Sequence, residues 1–363
     1  MFSVSMKGLK VFIFLALAGI PFCCLEVSYP DDQLSGEKNY QVERTFFRFM
    51  FYNVENLFDP FDDSLKEDDE FLPGQHKYWT WSRFQEKINN TYKVIVAVGG
   101  WEPPELIGLC EIENHFVLRE LVEKSPFAAF NYRIVHQESP DRRGIDVALL
   151  FNPDKFQLLT DKYYSISFPF DTSLRTRDIL YAKGIVHQED TLHVFVNHWP
   201  SRWGGQLESE PKRLHVAQVL KNAADSIFSA NPNAHIIITG DFNDTPENIS
   251  IRQILNANNQ WDVINNAQLY NLSYPFSEKG TGTHKYQGEW AVLDQFIVSG
   301  NLLQKENNLF CKPEDAHIYN PEFLLENDET YLGSKPYRTY LGYRFNGGYS
   351  DHLPIFLDLR SNH

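Results

Sequence analysis

The feature that most constrains this chain is a series of short apolar runs, each bordered by polar side chains that can bind a cation or move a proton. His235-Ile236-Ile237-Ile238-Thr239 leads into Gly240-Asp241-Phe242-Asn243-Asp244, and Ser350-Asp351-His352 precedes Pro354-Ile355-Phe356-Leu357. Runs this short and this apolar predict buried strands. Carboxylate, amide and imidazole groups should therefore meet at strand ends, and such a cluster suits binding a hard cation and hydrolysing a phosphate ester.

Strand-like runs recur along the chain between two helical segments. The predicted strands are Phe46–Tyr52, Leu106–Cys110, Tyr132–His136, Ile145–Phe151, Ile179–Val186, Leu192–Val196, Ile236–Thr239, Val292–Val298 and Ile355–Leu359. Apolar spacing predicts helices over Trp81–Val98, which Gly99-Gly100 ends, and over Gln206–Ala230. Some runs are apolar throughout and others alternate, which predicts an α/β fold with mixed sheets. The polar segment Phe310 to Tyr349 predicts a long loop.

The N-terminus predicts an exported protein. Lys7 and Lys10 precede an uncharged apolar run from Val11 to Leu25 that is too short to span a bilayer, so we expect residues 1–25 to be a signal peptide. Cys23 and Cys24 end this run, and a lipoprotein anchor is therefore the alternative to a secreted or periplasmic protein. We expect residues 26–45 to be a flexible segment and residues 46–363 to form one catalytic domain.

The overall charge limits the choice of substrate. Lys and Arg number 33 against 48 Asp and Glu, which gives a net charge of −15. A protein that holds duplex DNA mainly by neutralising phosphates is usually basic, so this balance argues against tight duplex binding. It does not argue against hydrolysis with a metal ion placed between the enzyme and a phosphate.

Four candidate side chains follow four predicted strands: Asn53, Glu111, His198 and Asp241. Ligands of open α/β folds collect at the carboxyl ends of strands, so these groups predict one cleft. Magnesium needs only one or two protein carboxylates, which Glu111 with Asp241 or Asp351 could supply. Each motif alone is more often a turn or a solvated loop, and their ordered occurrence is what favours a site.

Two details near the candidate carboxylates bear on their geometry. Asp241 and Asn243 lie two residues apart and would face the same way in an extended segment, after a turn that Gly240 permits. Glu113 lies two residues after Glu111 and is the competing candidate for its role.

An ordered set of motifs covers nearly the whole chain after the N-terminal segment. They are Tyr52-Asn53-Val54-Glu55-Asn56-Leu57, Leu109-Cys110-Glu111, Asn197-His198-Trp199-Pro200, Gly240-Asp241-Phe242-Asn243, Leu293-Asp294 and Ser350-Asp351-His352. Together they resemble the sequential motifs of the endonuclease/exonuclease/phosphatase superfamily. The resemblance implies a four-layer α/β sandwich, with two packed mixed β-sheets flanked by helices. It also implies cleavage of phosphoesters that depends on Mg²⁺ or Mn²⁺.

The same resemblance implies a role for each motif residue. Glu111 matches the main metal ligand, with Asn53 beside it in the metal and phosphate site and Asp351 at the metal. Asp241 and Asn243 match the pair that orients the attacking water and stabilises the transition state.

The remaining implied roles concern two histidines and three arginines. His352 matches the catalytic histidine, Asp294 matches the carboxylate that orients it, and His198 matches the second histidine of the deoxyribonuclease-like branch. Arg175, Arg177 and Arg202 could bind a phosphate through their forked guanidinium groups, although surface ion pairing is the competing interpretation.

These observations predict an exported, metal-dependent phosphodiesterase, with nucleic acid as the expected substrate. We expect a monomer with no obligate protein partner. The first alternative is a phosphatase or lipid phosphodiesterase that acts on phosphoinositide or sphingomyelin headgroups. Exposed apolar residues within Phe310–Tyr349 or near Phe168-Pro169-Phe170 would favour that alternative. The second alternative is a binding module that has kept the fold without catalysis.

Overall fold

The structure is a computed structural model that describes residues 46–100 and 102–362. The expected signal peptide and flexible segment, residues 1–45, lie outside these described residues. Within them, no helix combines the length and the apolar character that a bilayer span requires.

The strands are numbered along the chain. They are β1 (Phe46–Leu57), β2 (Leu106–Ile112), β3 (Arg133–His136), β4 (Asp146–Phe151), β5 (Phe156–Tyr164), β6 (Ile179–Val186), β7 (Asp190–His198), β8 (His235–Asp241), β9 (Leu269–Asn271), β10 (His284–Tyr286), β11 (Glu289–Ala291), β12 (Asp294–Ser299), β13 (Leu309–Phe310), β14 (Ala316–Ile318), β15 (Leu325–Asn327), β16 (Ser334–Pro336), β17 (Tyr340–Leu341), β18 (Arg344–Phe345) and β19 (Ile355–Ser361). The α-helices of the described residues are α1 (Trp81–Gly99), α2 (His115–Arg119), α3 (Gln206–Ala230) and α4 (Tyr274–Glu278).

Two large sheets form the body of the domain. The first has the order β13-β19-β1-β2-β4-β3, with β14 also paired to β19, and the second has the order β5-β6-β7-β8-β12-β9. The pairs β1–β2 and β7–β8 are parallel, and the other pairs in these sheets are antiparallel. Both sheets are therefore mixed, as the sequence predicted.

The layers follow from the alternation of side chains along each strand. In β1, Phe49 and Phe51 join a core shared with Val194 and Ile237 of the second sheet. Met50 on the opposite face of β1 packs in a separate core with residues of α1. On the far side, α3 covers the second sheet through a third core that includes Leu220, Ile236 and Ile238. Helix, sheet, sheet and helix make the four layers that were predicted.

The sequence located the main strands and both long helices but missed β5 and several short elements, among them α2, α4 and β9 to β11. β5 was not predicted because most of its side chains are exposed, so it lacks an apolar run. The long loop expected over 310–349 is wrong: β14 of this segment joins the first sheet, and the hairpins β15–β16 and β17–β18 follow it. These strands are only two or three residues long, which is too short to show a periodic pattern.

The two parallel pairs place the candidate residues at one edge. His198 is the register partner of Asp241 across β7–β8, and Asp294 at the start of β12 is the register partner of Asp241 on its other side. Asn53 pairs with Cys110, immediately before Glu111. Three neighbouring strands thus bring His198, Asp241 and Asp294 side by side.

The core between the sheets gives a stability prediction. Phe296 is buried and its ring contacts the Phe49 ring edge-on, with 5.5 Å between centroids. Phe296→Ala should lower the free energy of unfolding by about 3–5 kcal/mol, measured by urea denaturation, because it leaves a cavity between the sheets. The matched control is Phe61→Ala, where the ring is 58% exposed and the loss should stay under about 1 kcal/mol. Equal losses would contradict the assignment of the central core.

Candidate active site

The candidate site is built around the buried carboxylate of Asp241. Its Oδ2 accepts a hydrogen bond from Asn53 Nδ2 at 3.1 Å. The same oxygen lies 3.7 Å from His198 Nε2 and 3.9 Å from His352 Nε2. Its Oδ1 accepts from the backbone N–H of Asn243 at 2.9 Å. Residues from three distant parts of the sequence therefore converge on one carboxylate.

Glu111 lies beside this cluster at a bulge in β2. The register of β2 shifts at this point against both of its neighbouring strands, and Glu111 has a φ of +62°. Such a backbone conformation is costly for a residue with a side chain, and bulges of this kind re-aim side chains next to active sites. Glu111 Oε2 accepts from the Asn56 N–H at 2.8 Å, whereas Oε1 has a long contact of 3.4 Å from Asn53 Nδ2 and lies 3.9 Å from His198 Nε2.

His352 is held as a cation by Asp294. Its Nδ1 lies 2.7 Å from Asp294 Oδ2, and its backbone N–H donates to Ser350 Oγ at 3.0 Å. Ser350 in turn donates to the Asn53 carbonyl at 2.7 Å, which fixes the last motif against the end of β1. Burial by itself would lower the pKa of His352, but the charges of Asp294 and Asp241 outweigh it and raise this pKa well above its usual value.

The other two ionisable groups at the centre shift in ways that suit proton transfer. Burial, supported by the charges of Asp294 and Glu111 and opposed by His352, raises the pKa of Asp241 to about 7. Burial, supported by the Arg177 charge, lowers the pKa of His198 well below its usual value. At neutral pH the site therefore combines a carboxylate near its midpoint, a neutral His198 and a cationic His352.

Asp351 takes part in an ion pair that the sequence did not reveal. Its Oδ2 accepts from Arg338 Nη2 at 3.0 Å, and Arg338 Nε donates to Glu55 Oε1 at 3.1 Å. Burial favours the neutral form of Asp351, but Arg338 and His352 overcome it and lower its pKa to about 2. Glu55 lies inside the first motif, so the sequence offered a reason to consider it. Arg338 lies in the segment predicted to be a loop, where no motif pointed to it.

Arg177 and Arg202, predicted to bind phosphate, face the protein. Arg177 is buried: it donates to Asp141 Oδ2 at 3.0 Å and to the carbonyls of His198 at 3.2 Å and Trp199 at 2.5 Å. Arg202 donates to the Asn243 carbonyl at 2.7 Å. Both groups are thus held in place as supports for the loops that follow β7 and β8. This geometry favours positioning roles over direct phosphate binding.

Arg175 lies apart from the contacts described above. Its Nη1 donates to the carbonyls of Thr172 at 2.6 Å and Leu174 at 2.9 Å, and the side chain is exposed. The phosphate clamp expected from three arginines is therefore not preformed.

The side chain of Asn243 makes a contact of its own besides that of its backbone N–H. Its Nδ2 donates to the Trp199 carbonyl at 3.1 Å.

The donor atoms suit a hard cation. The carboxylates of Glu111 and Asp241 share the Asn53 amide group, so two negative charges lie close together with oxygen atoms available. Within the described residues, Asp241, Asp294 and His352 also bring potential ligand atoms within 4.8 Å of one another, as do His284, Asp351 and His352. Both of these groups depend on His352, which Asp294 holds as a cation and which is then a poor ligand. We therefore favour the Glu111–Asp241 side of the cluster for a metal.

Comparison with known proteins agrees with the fold and the motif order. The model of the Endonuclease/Exonuclease/phosphatase family matches residues 48–361, and the chain therefore belongs to this family. Its members are phosphoesterases that generally use a divalent metal. No significant match was found among curated proteins.

Solved structures share the fold at low sequence identity. The human Nocturnin catalytic domain with bound sulfate is 16% identical, covering 88% of this chain and 96% of that chain with a TM-score of 0.52. D. rerio TDP2 complexed with single-strand DNA product is 14% identical, covering 88% and 100% with a TM-score of 0.50. An endonuclease/exonuclease/phosphatase from Bacteroides vulgatus is 14% identical, covering 88% and 100% with a TM-score of 0.51.

The His352–Asp294 pair gives a pH-dependent prediction. The folded-state pKa of His352 lies above its unfolded value, so the pair stabilises the fold fully below about pH 6.5. This stabilisation is lost as the pH rises through the folded-state pKa. Asp294→Asn should therefore destabilise the protein most below pH 6.5, by roughly 2 kcal/mol, and less at alkaline pH. Urea denaturation in EDTA at several pH values measures the difference, and a difference that does not change with pH would contradict the charged pair.

Proposed function

We propose that this protein is a metal-dependent phosphodiesterase that hydrolyses nucleic acid by water attack. The observation that carries the proposal is the buried Asp241 carboxylate, which lies within 4 Å of Asn53, His198 and His352 and shares an amide donor with Glu111. A buried carboxylate among two imidazoles and a second carboxylate is costly to build, and such clusters are characteristic of catalytic sites.

In this proposal Asp241 accepts the proton of the attacking water. A general base works best when its pKa lies near the working pH, and the pKa of Asp241 is raised to about 7. The Asn243 N–H donates to its Oδ1, and its Oδ2, which accepts from Asn53 Nδ2 and faces the two imidazoles, would take the proton.

The negative charge of the transition state meets positive charge already in place. His352 is a cation fixed by Asp294, and its Nε2 points toward the cluster 3.9 Å from Asp241. Asn53 adds an amide donor in the same place. Charges and donors fixed before the reaction lower its barrier because they need no reorganisation.

Glu111 and Asn53, which lie beside Asp241, are the residues that would hold a Mg²⁺ or Mn²⁺ ion. Bound there, the ion would polarise the phosphate and stabilise the charge that develops on its oxygens. Asp351 is a less direct candidate for the metal because its Oδ2 is bound to Arg338.

Nucleic acid is the substrate that the site favours. Two histidines face one carboxylate, as expected for the deoxyribonuclease-like branch, and a D. rerio protein of the same fold was solved with a single-strand DNA product. Export remains a prediction from residues 1–25, which the structure does not describe, and it would suit the use of extracellular nucleic acid.

One observation favours the lipid alternative enough to test it. Large apolar side chains are exposed in the 310–349 segment and near Phe168, including Leu332 at 97%, together with Phe323 and Phe170. Exposed apolar residues of this kind can enter a membrane interface and bring a headgroup to the site.

Metal dependence and the role of Glu111 can be tested together. EDTA should abolish hydrolysis of bis(p-nitrophenyl) phosphate and Mg²⁺ or Mn²⁺ should restore it, while Glu111→Gln should lower kcat/KM about 10³-fold. Glu113→Gln is the matched control. Burial raises the pKa of Glu113 to about 9, so it is neutral at pH 7, and it accepts from the Asp59 N–H as glutamine also can. The roles are misassigned if the two variants lose activity equally.

The substrate class can be decided with a panel. With Mg²⁺ or Mn²⁺, wild-type protein should cleave supercoiled plasmid and single-strand oligonucleotides and should not release headgroups from phosphoinositide or sphingomyelin liposomes. Asp241→Asn should lose this activity by about 10³-fold while keeping its melting temperature within a few degrees. Headgroup release with intact nucleic acid would establish the lipid alternative instead.

A further inference from the structure

A cavity of about 280 Å³ lies directly beside the candidate site. Three parts of the chain line it: Glu55 and Asn56 at the end of β1, Phe71 and Lys77, and the segment 338–342. The Asn56 N–H donates to Glu111 Oε2 at 2.8 Å, so one wall of the cavity is the same backbone that holds the candidate metal ligand. A substrate that reaches Glu111 is therefore close enough to place a second group in this cavity.

Two cations line this cavity, and they differ in how far they are already neutralised. Arg338 is bound by Glu55 and Asp351, so two carboxylates already share its charge. Among the described residues, Lys77 Nζ has one ion pair, a long one of 3.5 Å to Glu70 Oε1. The Glu70 side chain is about half exposed, so solvent screens that pair strongly.

Lys77 is also fixed in position. Its ammonium group lies 4.3 Å from the centre of the Phe71 ring and 5.1 Å from that of Tyr340. The Tyr340 hydroxyl donates to the Lys77 carbonyl at 2.9 Å, which ties the two sides of the cavity together. An ammonium group has three donors, and an anion is a stronger acceptor for them than an aromatic face.

We propose that this cavity is a subsite for a second anionic group of the substrate, a phosphate separate from the one that is cleaved, with Lys77 as its main partner. The inference rests on the proposed function and narrows its substrate class. At about 280 Å³ the cavity is near the lower limit of small-molecule sites, so it suits one phosphorylated sugar. The preferred bond then has a second phosphate beside it, which a neighbouring nucleotide, a phosphorylated chain end or a small phosphodiester with a further phosphate can each supply.

The source of the second phosphate is a nucleotide or a headgroup such as an inositol phosphate, and the surroundings favour a nucleotide. His76 and Tyr343 face each other across the loops near this cavity, with 5.2 Å between ring centroids, and Tyr343 is 62% exposed. Tyr78, next to Lys77, is also largely exposed. Exposed rings beside a phosphate subsite suit stacking of a base.

The experiment compares thymidine 5′-(p-nitrophenyl phosphate) with and without a 3′-phosphate. Wild type should show a kcat/KM about tenfold higher for the substrate with the second phosphate, because a charge-assisted hydrogen bond contributes about this factor. Lys77→Ala should remove this preference and Lys77→Arg should keep most of it. Lys221→Ala, which removes a cation paired with Asp225 on α3, should leave the preference unchanged.

A binding measurement keeps the test independent of turnover and of how the variants fold. Calorimetry of wild-type protein in EDTA should show thymidine 3′,5′-bisphosphate binding about tenfold more tightly than thymidine 5′-monophosphate. The second comparison is the affinity for inositol 1,4-bisphosphate against that for inositol 1-phosphate. A preference for the bisphosphate in this comparison alone supports the subsite and assigns it to a headgroup. Equal binding within both pairs overturns the subsite, as does a preference that survives in Lys77→Ala.

The two proposals fail in different ways. Hydrolysis of bis(p-nitrophenyl) phosphate without any effect of a second phosphate keeps the phosphodiesterase and removes the subsite. Binding that prefers the second phosphate without metal-dependent hydrolysis keeps the subsite and removes the phosphodiesterase.

Discussion

The burial of the Asp241 carboxylate is the constraint on which the rest of the site depends. Removing a carboxylate from water costs several kcal/mol unless donors and opposite charges surround it. The protein supplies the Asn53 amide, the Asn243 N–H and the cationic His352. His352 keeps its proton because Asp294 lies 2.7 Å away and Asp241 adds a second negative charge, so the network holds together as a unit. The raised pKa of Asp241 is the consequence that makes proton transfer accessible near neutral pH.

The segment after β13 connects this network to the outer helical layer. Lys87 on α1 is fully buried and donates to Thr339 Oγ1 at 2.6 Å and to the Tyr349 carbonyl at 2.5 Å. Burial outweighs the nearby carboxylates and lowers the pKa of Lys87 to about 8. Because Thr339 follows Arg338, this contact holds Arg338 between Glu55 and Asp351. An element without a periodic pattern in sequence thus delivers a charged residue to the site and lines the cavity beside it.

Much of the fold and the site could be predicted because strand ends are visible in the sequence. Asn53, Glu111, His198 and Asp241 each follow an apolar run, and the carboxyl ends of strands in such folds meet at one edge. The arginines show where this reasoning stops. Arg177 looked like a phosphate ligand, yet its guanidinium group is bound to Asp141 and to two carbonyls. A side chain with five donors gives no sign in sequence of which oxygens it will meet.

The sequence by itself determined the α/β class, the order of the main strands and the two long helices, and which polar side chains stand at strand ends. These properties follow from local periodicity. Apolar side chains that recur every two residues mark the buried face of a strand, and those that recur about every 3.6 residues mark the buried face of a helix. Only the tertiary structure decided which charges meet, that Arg338 reaches Asp351, and that Lys77 lines a cavity next to Glu111. Those contacts join residues tens to hundreds of positions apart, and their pKa shifts depend on burial and distance, which no local pattern of residues contains.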